Sequence, residues 1–318
     1  RDFTINAMYY DPASETVLDY HGGMNDIRAK TIRMIGNPTK RYREDPVRML
    51  RAIRFAAKTG FQIEPKTLAP IHELGQLIHD VPSARLFDEI LKLLMSGHAW
   101  AGIQALRDAN LHHGLLPFMN RVLEDAQAAQ FIEQALRNTD ERIQMGKSVS
   151  PGFLFAALLW PDLEKEWQVL RNTGMPALAA LHAAIDTVVS PAHTGITIQR
   201  RHEGDMRDIW TMQPRFEKRV GRYPERLLEV PRFRAGYDFM LLRGQTGYCK
   251  PGLGQWWTDF YHADLPEREA LLASAKLEDL ASGKTPSNPN RNRRRRSKKP
   301  KPNPDAHADS GSNDAKQS

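Results

Sequence analysis

The sequence predicts a mostly helical protein with a small mixed α/β portion at its amino-terminal end and a basic, structureless carboxy-terminal end. Three observations carry this expectation. Apolar residues alternate with a period near two before residue 36, recur with a period near 3.6 from Asp45 onward, and all but vanish after Lys284.

Residues 1 to 36 read as strands and turns. Thr4 to Tyr9 alternates, Thr16-Val17-Leu18 follows, Gly22-Gly23 breaks the chain, and Thr31 to Ile35 alternates again. The period then changes. Asp45 has the chemistry of an N-cap, Pro46 suits a first helical position, Met49, Leu50, Ile53 and Phe55 supply an apolar face, and Gly60 supplies a stop. Ser83 is the expected cap of a second helix, whose stripe of Leu86, Phe87, Ile90, Leu91 and Leu94 ends before Gly97. Further helical patterns cover about 99 to 109, 122 to 138, 152 to 159, 176 to 189, 200 to 212, 224 to 229 and 265 to 282, separated by Pro and Gly. No fixed-period repeat is present. Residues 285 to 318 are Pro, Asn, Ser and charge, with almost nothing to bury, and are expected to be disordered.

With 318 residues, 41% of them hydrophobic, the chain is long enough for two or three packed units. No apolar run approaches the ~20 residues that span a bilayer, so no membrane partner is expected. The opening Arg1-Asp2-Phe3 is neither a secretory leader nor an initiator Met, and reads as the start of a truncated sequence. The single cysteine, Cys249, excludes an internal disulfide and any multi-cysteine zinc site, which fits a reducing cytoplasm. The net charge of +7 is unevenly placed: residues 291 to 318 hold nine Lys/Arg against three Asp, leaving 36 Lys/Arg against 35 Asp/Glu in the rest. A polyanion is the partner that such a tail suggests.

Three segments carry the candidate chemistry. Arg1-Asp2-Phe3-Thr4-Ile5-Asn6-Ala7 offers a guanidinium for phosphate, and Asp and Asn side chains for ribose hydroxyls; a strand end with a surface ion pair would use the same residues. Arg41 to Phe55 offers carboxylates that accept from an exocyclic amine, and a ladder of Arg48, Arg51 and Arg54 sharing a broad basic face. Pro82 to Lys92 is mostly plain amphipathic helix, with Arg85 as its one functional candidate. In this order the three segments resemble the nucleotidyltransferase class that contains bacterial poly(A) polymerases and tRNA CCA-adding enzymes. Asp19 to Arg28, with its paired glycines, is similar to the flexible link of that class between head and neck.

The resemblance covers residues 1 to about 100, and it implies roles. Arg1, Asp2 and Asn6 would address the nucleotide sugar and phosphates, Glu44, Asp45 and Arg48 the adenine, and Arg51, Arg54 and Arg85 the triphosphate or the RNA end. Pro231 to Asp238, Trp256-Trp257 and the Arg-rich end resemble the poly(A) polymerase carboxy-terminal region, which favours that branch over CCA addition. His72, His79-Asp80, His112 and His113 do not complete the metal site of a phosphohydrolase domain, with which some CCA-adding enzymes end. The implied fold is the remnant of an α+β nucleotidyltransferase head over 1–40, a helical neck over 41–115, a helical body and RNA-binding region over 116–284, and the basic tail over 285–318.

The implied activity is addition of AMP from ATP to RNA 3' ends with Mg2+, in the cytoplasm, among RNA-decay protein partners. The family's metal-binding Asp-x-Asp pair is expected upstream of Arg1. No Asp-x-Asp occurs in this sequence, so the chain alone is expected to be inactive. In the tail, Arg291, Arg293, Arg294, Arg295, Arg296, Lys298, Lys299 and Lys301 are the expected contacts to RNA phosphates. Trp256 and Trp257, with Phe260 and Tyr261, could stack bases, but their helical spacing favours a core. A CCA-adding enzyme and a non-catalytic RNA-binding protein are the rival readings.

Overall fold

The computed structural model describes residues 1–111, 125–194 and 196–281. The fold is mostly helical. Its small strand content lies in a hairpin of β1 (Tyr9–Asp11) and β2 (Thr16–Leu18), in register Tyr10 opposite Val17, and in a parallel pair of β3 (Thr31–Ile32) with β4 (Gln62–Ile63). Between them lies α1 (Gly23–Arg28).

A first group of helices, termed the neck for brevity, is α2 (Pro38–Glu44), α3 (Val47–Thr59), α4 (Pro65–Leu74), α5 (Ser83–Leu94) and α6 (Ala99–Asp108), with α3 packed on both α5 and α6. The body follows as α7 (Ala126–Gln144), α8 (Pro151–Leu158), α9 (Trp160–Asn172), α10 (Ala177–Val188), the short α11 (Pro191–Thr194) and α12 (Arg200–Phe216). A carboxy-terminal group of α13 (Tyr223–Leu228), α14 (Phe233–Gln245), α15 (Leu253–His262) and α16 (Leu265–Ala281) completes the described chain.

One apolar core runs from Phe3 and Ile32 through the neck to Trp160 and Trp210 in the body and Phe239 in the carboxy-terminal group. A second, smaller core joins Phe216, Phe233, Trp257 and Phe260. Trp257 is fully buried, and its indole N–H donates to the Phe216 carbonyl at 2.8 Å; Phe260 is fully buried too. This pair is therefore core, as its spacing suggested. Neck and body are joined by polar bonds at helix ends. The carboxylate of Asp140 on α7 accepts from the backbone N–H groups of Ala99 (2.6 Å) and Trp100 (3.1 Å), capping α6 from outside.

Several local expectations are corrected. The segment Thr4–Asn6 is a 3-10 turn, because the Asn6 side chain takes the Phe3 N–H at 3.2 Å and closes the chain on itself; only Phe3 pairs, with Met34. The second alternation, from Thr31 to Ile35, is a strand only at Thr31–Ile32. At Gly22-Gly23, Gly22 turns the chain at φ +75° and α1 starts at once, its first N–H groups bound by Asp19 at 2.8 Å. Gly23 packs so closely on Thr4 that an added Cβ would run into the Thr4 carbonyl oxygen.

Asp45 is not an N-cap. It precedes Pro46, which holds it extended at φ −152°, and Arg85 takes its carboxylate instead. Ser83 is likewise not a cap. Its hydroxyl oxygen accepts from Thr197 N–H at 2.7 Å, a second tie between neck and body, while Pro82 holds the capping position. Helices α2, α4, α9 and α14 went unread as separate elements in the sequence, and α12 continues through Pro214 to Phe216. The expected disordered tail lies outside the described residues.

Candidate nucleotide site

Asp2 sits at the centre. The Ile35 N–H donates to its carbonyl at 2.8 Å, and the bridge of Phe3 to Met34 fixes the segment against the neck, so the residue is buried at 5% exposure. Three arginines converge on it. Arg48 Nε donates to Oδ1 at 2.9 Å, Arg41 Nη2 lies 3.5 Å from the same oxygen, and Arg51 Nη1 lies 2.7 Å from Oδ2. The Arg51 contact is an ion pair without hydrogen-bond alignment, and it leaves both Asp2 Oδ2 and Arg51 Nε buried and without a hydrogen-bond partner. Glu44 ties Arg41 at 3.0 Å and approaches Arg48 at 3.6 Å, while Arg48 Nη1 also donates to the Arg41 carbonyl at 2.8 Å.

The local sequence makes this arrangement. The bend at Asp45-Pro46 folds α2 against α3, which sets Arg41 beside Arg48. Below them, Tyr42 is fully buried and its hydroxyl donates to the Thr67 carbonyl at 3.0 Å. Burial first, and then the negative charge of Asp2, push its hydroxyl well above the usual phenol range. Beside the cluster, Arg85 Nη2 donates to Asp45 Oδ2 at 2.9 Å, and this hydrogen bond raises the Arg85 pKa. The other oxygen, Asp45 Oδ1, is buried and receives no donor.

The arginine ladder divides. A step of three residues lags a full helical turn by about 60°, so Arg51 still shares the face of Arg48, whereas Arg54 sits about 120° from it. Arg54 accordingly lies over the Phe55 ring at 4.5 Å and donates to Glu89 Oε2 at 3.2 Å, with Lys92 on the other Glu89 oxygen at 2.8 Å. Arg1 is exposed, and the side-chain oxygen of Asn6 is occupied by its own backbone turn. The structure thus gathers Asp2, Glu44, Arg48 and Arg51, places Asp45 with Arg85 alongside, and sets Arg54 apart. The tail residues Arg291 to Lys301 lie outside the described residues.

Two participants were not singled out in the sequence. Arg41 reaches Asp2 only because α2 folds back on α3, which no spacing reveals. Glu89 did carry a signal: it falls between Leu86 and Leu93 on the apolar face of α5, where a carboxylate needs a cationic partner.

Three family models match the chain: "Poly A polymerase head domain" over residues 1–33, "Probable RNA and SrmB-binding site of polymerase A" over 60–123, and "Polymerase A arginine-rich C-terminus" over 173–300. Poly(A) polymerase I of Salmonella typhi is 43% identical over 278 residues, 86% of this chain and 60% of that protein. The chain belongs to the poly(A) polymerase family. It spans about 60% of the length of the curated relatives it matches. A CCA-adding enzyme of Limosilactobacillus fermentum is 41% identical over 112 residues, only 35% of this chain and 28% of that enzyme. The fold is that of the solved "tRNA-processing enzyme (apo form 2)", which is 20% identical with a TM-score of 0.53 over 86% of this chain and 73% of that one.

Of the three site segments, Arg1 to Ala7 falls in the head model, Arg41 to Phe55 between the head and the RNA- and SrmB-binding models, and Pro82 to Lys92 within the latter. Among the described residues no group of three or more His, Cys, Asp or Glu is placed to hold a metal ion. They do not supply the Mg2+ site that the family implies. No helix among them is long and apolar enough to cross a membrane.

Proposed function

We propose that this chain is the nucleotide-selecting and RNA-binding part of a polynucleotide adenylyltransferase, which adds AMP from ATP to RNA 3' ends. The observation that carries the reading is the orphaned oxygen of Asp45. It is buried, fixed by Arg85 through its neighbour, and accepts no hydrogen bond, which is the state of an acceptor awaiting the exocyclic amine of adenine. Glu44 and Arg48 flank it, and Arg51, whose Nε has no hydrogen-bond partner, is assigned to the phosphates. Asp2 holds these guanidinium groups in one orientation before any ligand arrives, with Arg1 and Asn6 at the sugar. Arg54, held by Glu89, is assigned to the triphosphate or the RNA end, and the basic tail holds RNA.

The reading divides the chain into the end of a head (1–40), a neck (41–115), a body (116–284) and a tail (285–318). It assigns the carboxylates for Mg2+ to another part of the full-length protein, places the protein in the cytoplasm, and makes messenger RNA processing and decay its setting, with RNA-decay proteins as partners. The test uses full-length protein, an RNA primer and each nucleoside triphosphate in turn. ATP addition with CTP rejected supports the reading. Efficient CTP incorporation redirects it to CCA addition.

A further inference from the structure

We infer that the corner between α12 and α13 is a second, separate binding site, which stacks one base of single-stranded RNA on Tyr223 and holds the adjoining phosphates with Lys218, Arg222 and Arg226. This rests on the RNA reading above but concerns a surface outside the nucleotide site.

Tyr223 is 57% exposed, and among the described residues it is the sole exposed large aromatic side chain after Tyr20. Every other aromatic side chain described in α12 to α15 is at least partly buried, several in the second core. An exposed ring gains nothing from the core. It does offer a flat face to a base, and stacking of that kind tolerates any sequence because every base has a π-face.

The charges around it point the same way. Residues 215 to 228 hold five Lys/Arg against two Glu. Lys218 Nζ lies over the Tyr223 ring at 5.3 Å, and no carboxylate among the described residues pairs with Lys218, Arg222 or Arg226. Nearby arginines are engaged: Arg207 with Asp186 and Glu203, Arg219 with Glu278, and Arg232 with Asp205 and Asp208. Unpaired cations beside an unburied aromatic ring suit a ligand with alternating phosphate and base. An acidic protein segment would use the cations but leave the ring unexplained.

The corner is also held firmly. Arg219 spans the Trp256 ring at 5.6 Å and Glu278 at 2.8 Å, Gly221 turns the chain at φ +64°, and Pro224 and Leu227 are buried. Backbone pinned on one side presents Lys218, Arg222, Tyr223 and Arg226 on the other, so binding need not order the segment.

The experiment uses the full chain and a fluorescent single-stranded oligoadenylate carrying one 5-iodouridine, with cross-linked peptides mapped by mass spectrometry. A cross-link at Tyr223 is expected. Tyr223→Ala should weaken binding by about fivefold or more, and Tyr223→Phe, which keeps the ring, should restore it. Arg222→Ala with Arg226→Ala should flatten the plot of log affinity against log salt by about 1.4, the share of two phosphates on a single strand. Unchanged thermal unfolding shows that each variant is folded. RNA bound with unaltered affinity by folded Tyr223→Ala overturns the platform while leaving the polyadenylation reading standing. Displacement of RNA by polyglutamate, together with insensitivity to Tyr223→Ala, overturns it in favour of an acidic protein. Absence of RNA binding by every form overturns both.

Discussion

The chain carries two concentrations of arginine that differ in one respect. In the neck, Arg41, Arg48 and Arg51 are half-buried and fastened to Asp2, Glu44 and backbone. At the α12–α13 corner, Arg222 and Arg226 are exposed and have no carboxylate partner among the described residues. A fastened guanidinium has already lost its rotamer freedom and presents its donors at fixed angles, which suits discrimination between similar ligands. A free one keeps its hydration and its mobility, which suits a polyanion of any sequence. The same residue type therefore serves selection in one place and grip in the other, and its partners decide which.

The sharpest way to break this contrast is to remove the neck's anchor. Asp2→Ala leaves three partly buried guanidinium groups without their shared carboxylate, and should lower the stability of the chain by about 2–3 kcal/mol, given their residual access to water. Urea unfolding of both proteins checks this. A change below 0.5 kcal/mol (about the range of ordinary surface substitutions) would mean that Asp2 anchors nothing.

Next come the groups that meet the base. In the full-length protein, Asp45→Ala or Arg48→Ala should each reduce selection for ATP by about 1–3 kcal/mol, because each leaves a base edge unpaired. Nucleotide competition kinetics, with unfolding measured alongside, test it; unchanged selectivity in both folded variants removes them from the template.

A smaller effect is expected where neck and body meet. His202 is buried against Phe87 at 6.0 Å between ring centroids, its Nε2 accepts from Arg201 at 3.2 Å, and burial lowers its pKa below the ordinary 6.5. The unfolded chain therefore takes up a proton first as pH falls, so folding stability should decline below about pH 6.5 as the buried ring resists protonation. His202→Phe should flatten that part of the stability curve, measured by thermal unfolding from pH 7.5 to pH 5; an identical slope in both proteins would exonerate His202.

The smallest stability effect belongs to the tail. Deleting residues 285 to 318 should leave thermal unfolding nearly unchanged yet weaken binding to all RNAs alike, flattening the salt plot by about 0.7 for each RNA phosphate that the tail neutralises. Superimposable slopes for intact and shortened chains would remove the tail from the RNA interface.

Periodicity revealed α3, α5, α6, α10 and α13 because each keeps one clear apolar stripe or a sharp Pro or Gly boundary. It found α8 but not its continuation α9, because the core surrounds α8 on nearly every side and leaves no stripe to carry past its end. There Leu154 to Leu159 are buried without a break, and the helical pattern continues from Trp160 past a single distorted residue. It failed at Thr4 to Asn6 too, since alternation over six residues cannot register that one asparagine will bind its own backbone.

By itself the sequence determined the helical class, the basic tail and the residue types of a nucleotide site, because those follow from composition and from short-range spacing. The tertiary structure alone decided which of those residues meet. Asp2 and Arg48 lie 46 positions apart, and Arg85 and Asp45 lie 40 apart. Which carboxylate takes which guanidinium depends on the bend at Pro46 and on where α5 docks. The Arg48, Arg51, Arg54 ladder divided for the same reason: a helix offers directions at fixed angles, and only the neighbouring elements determine what waits in each.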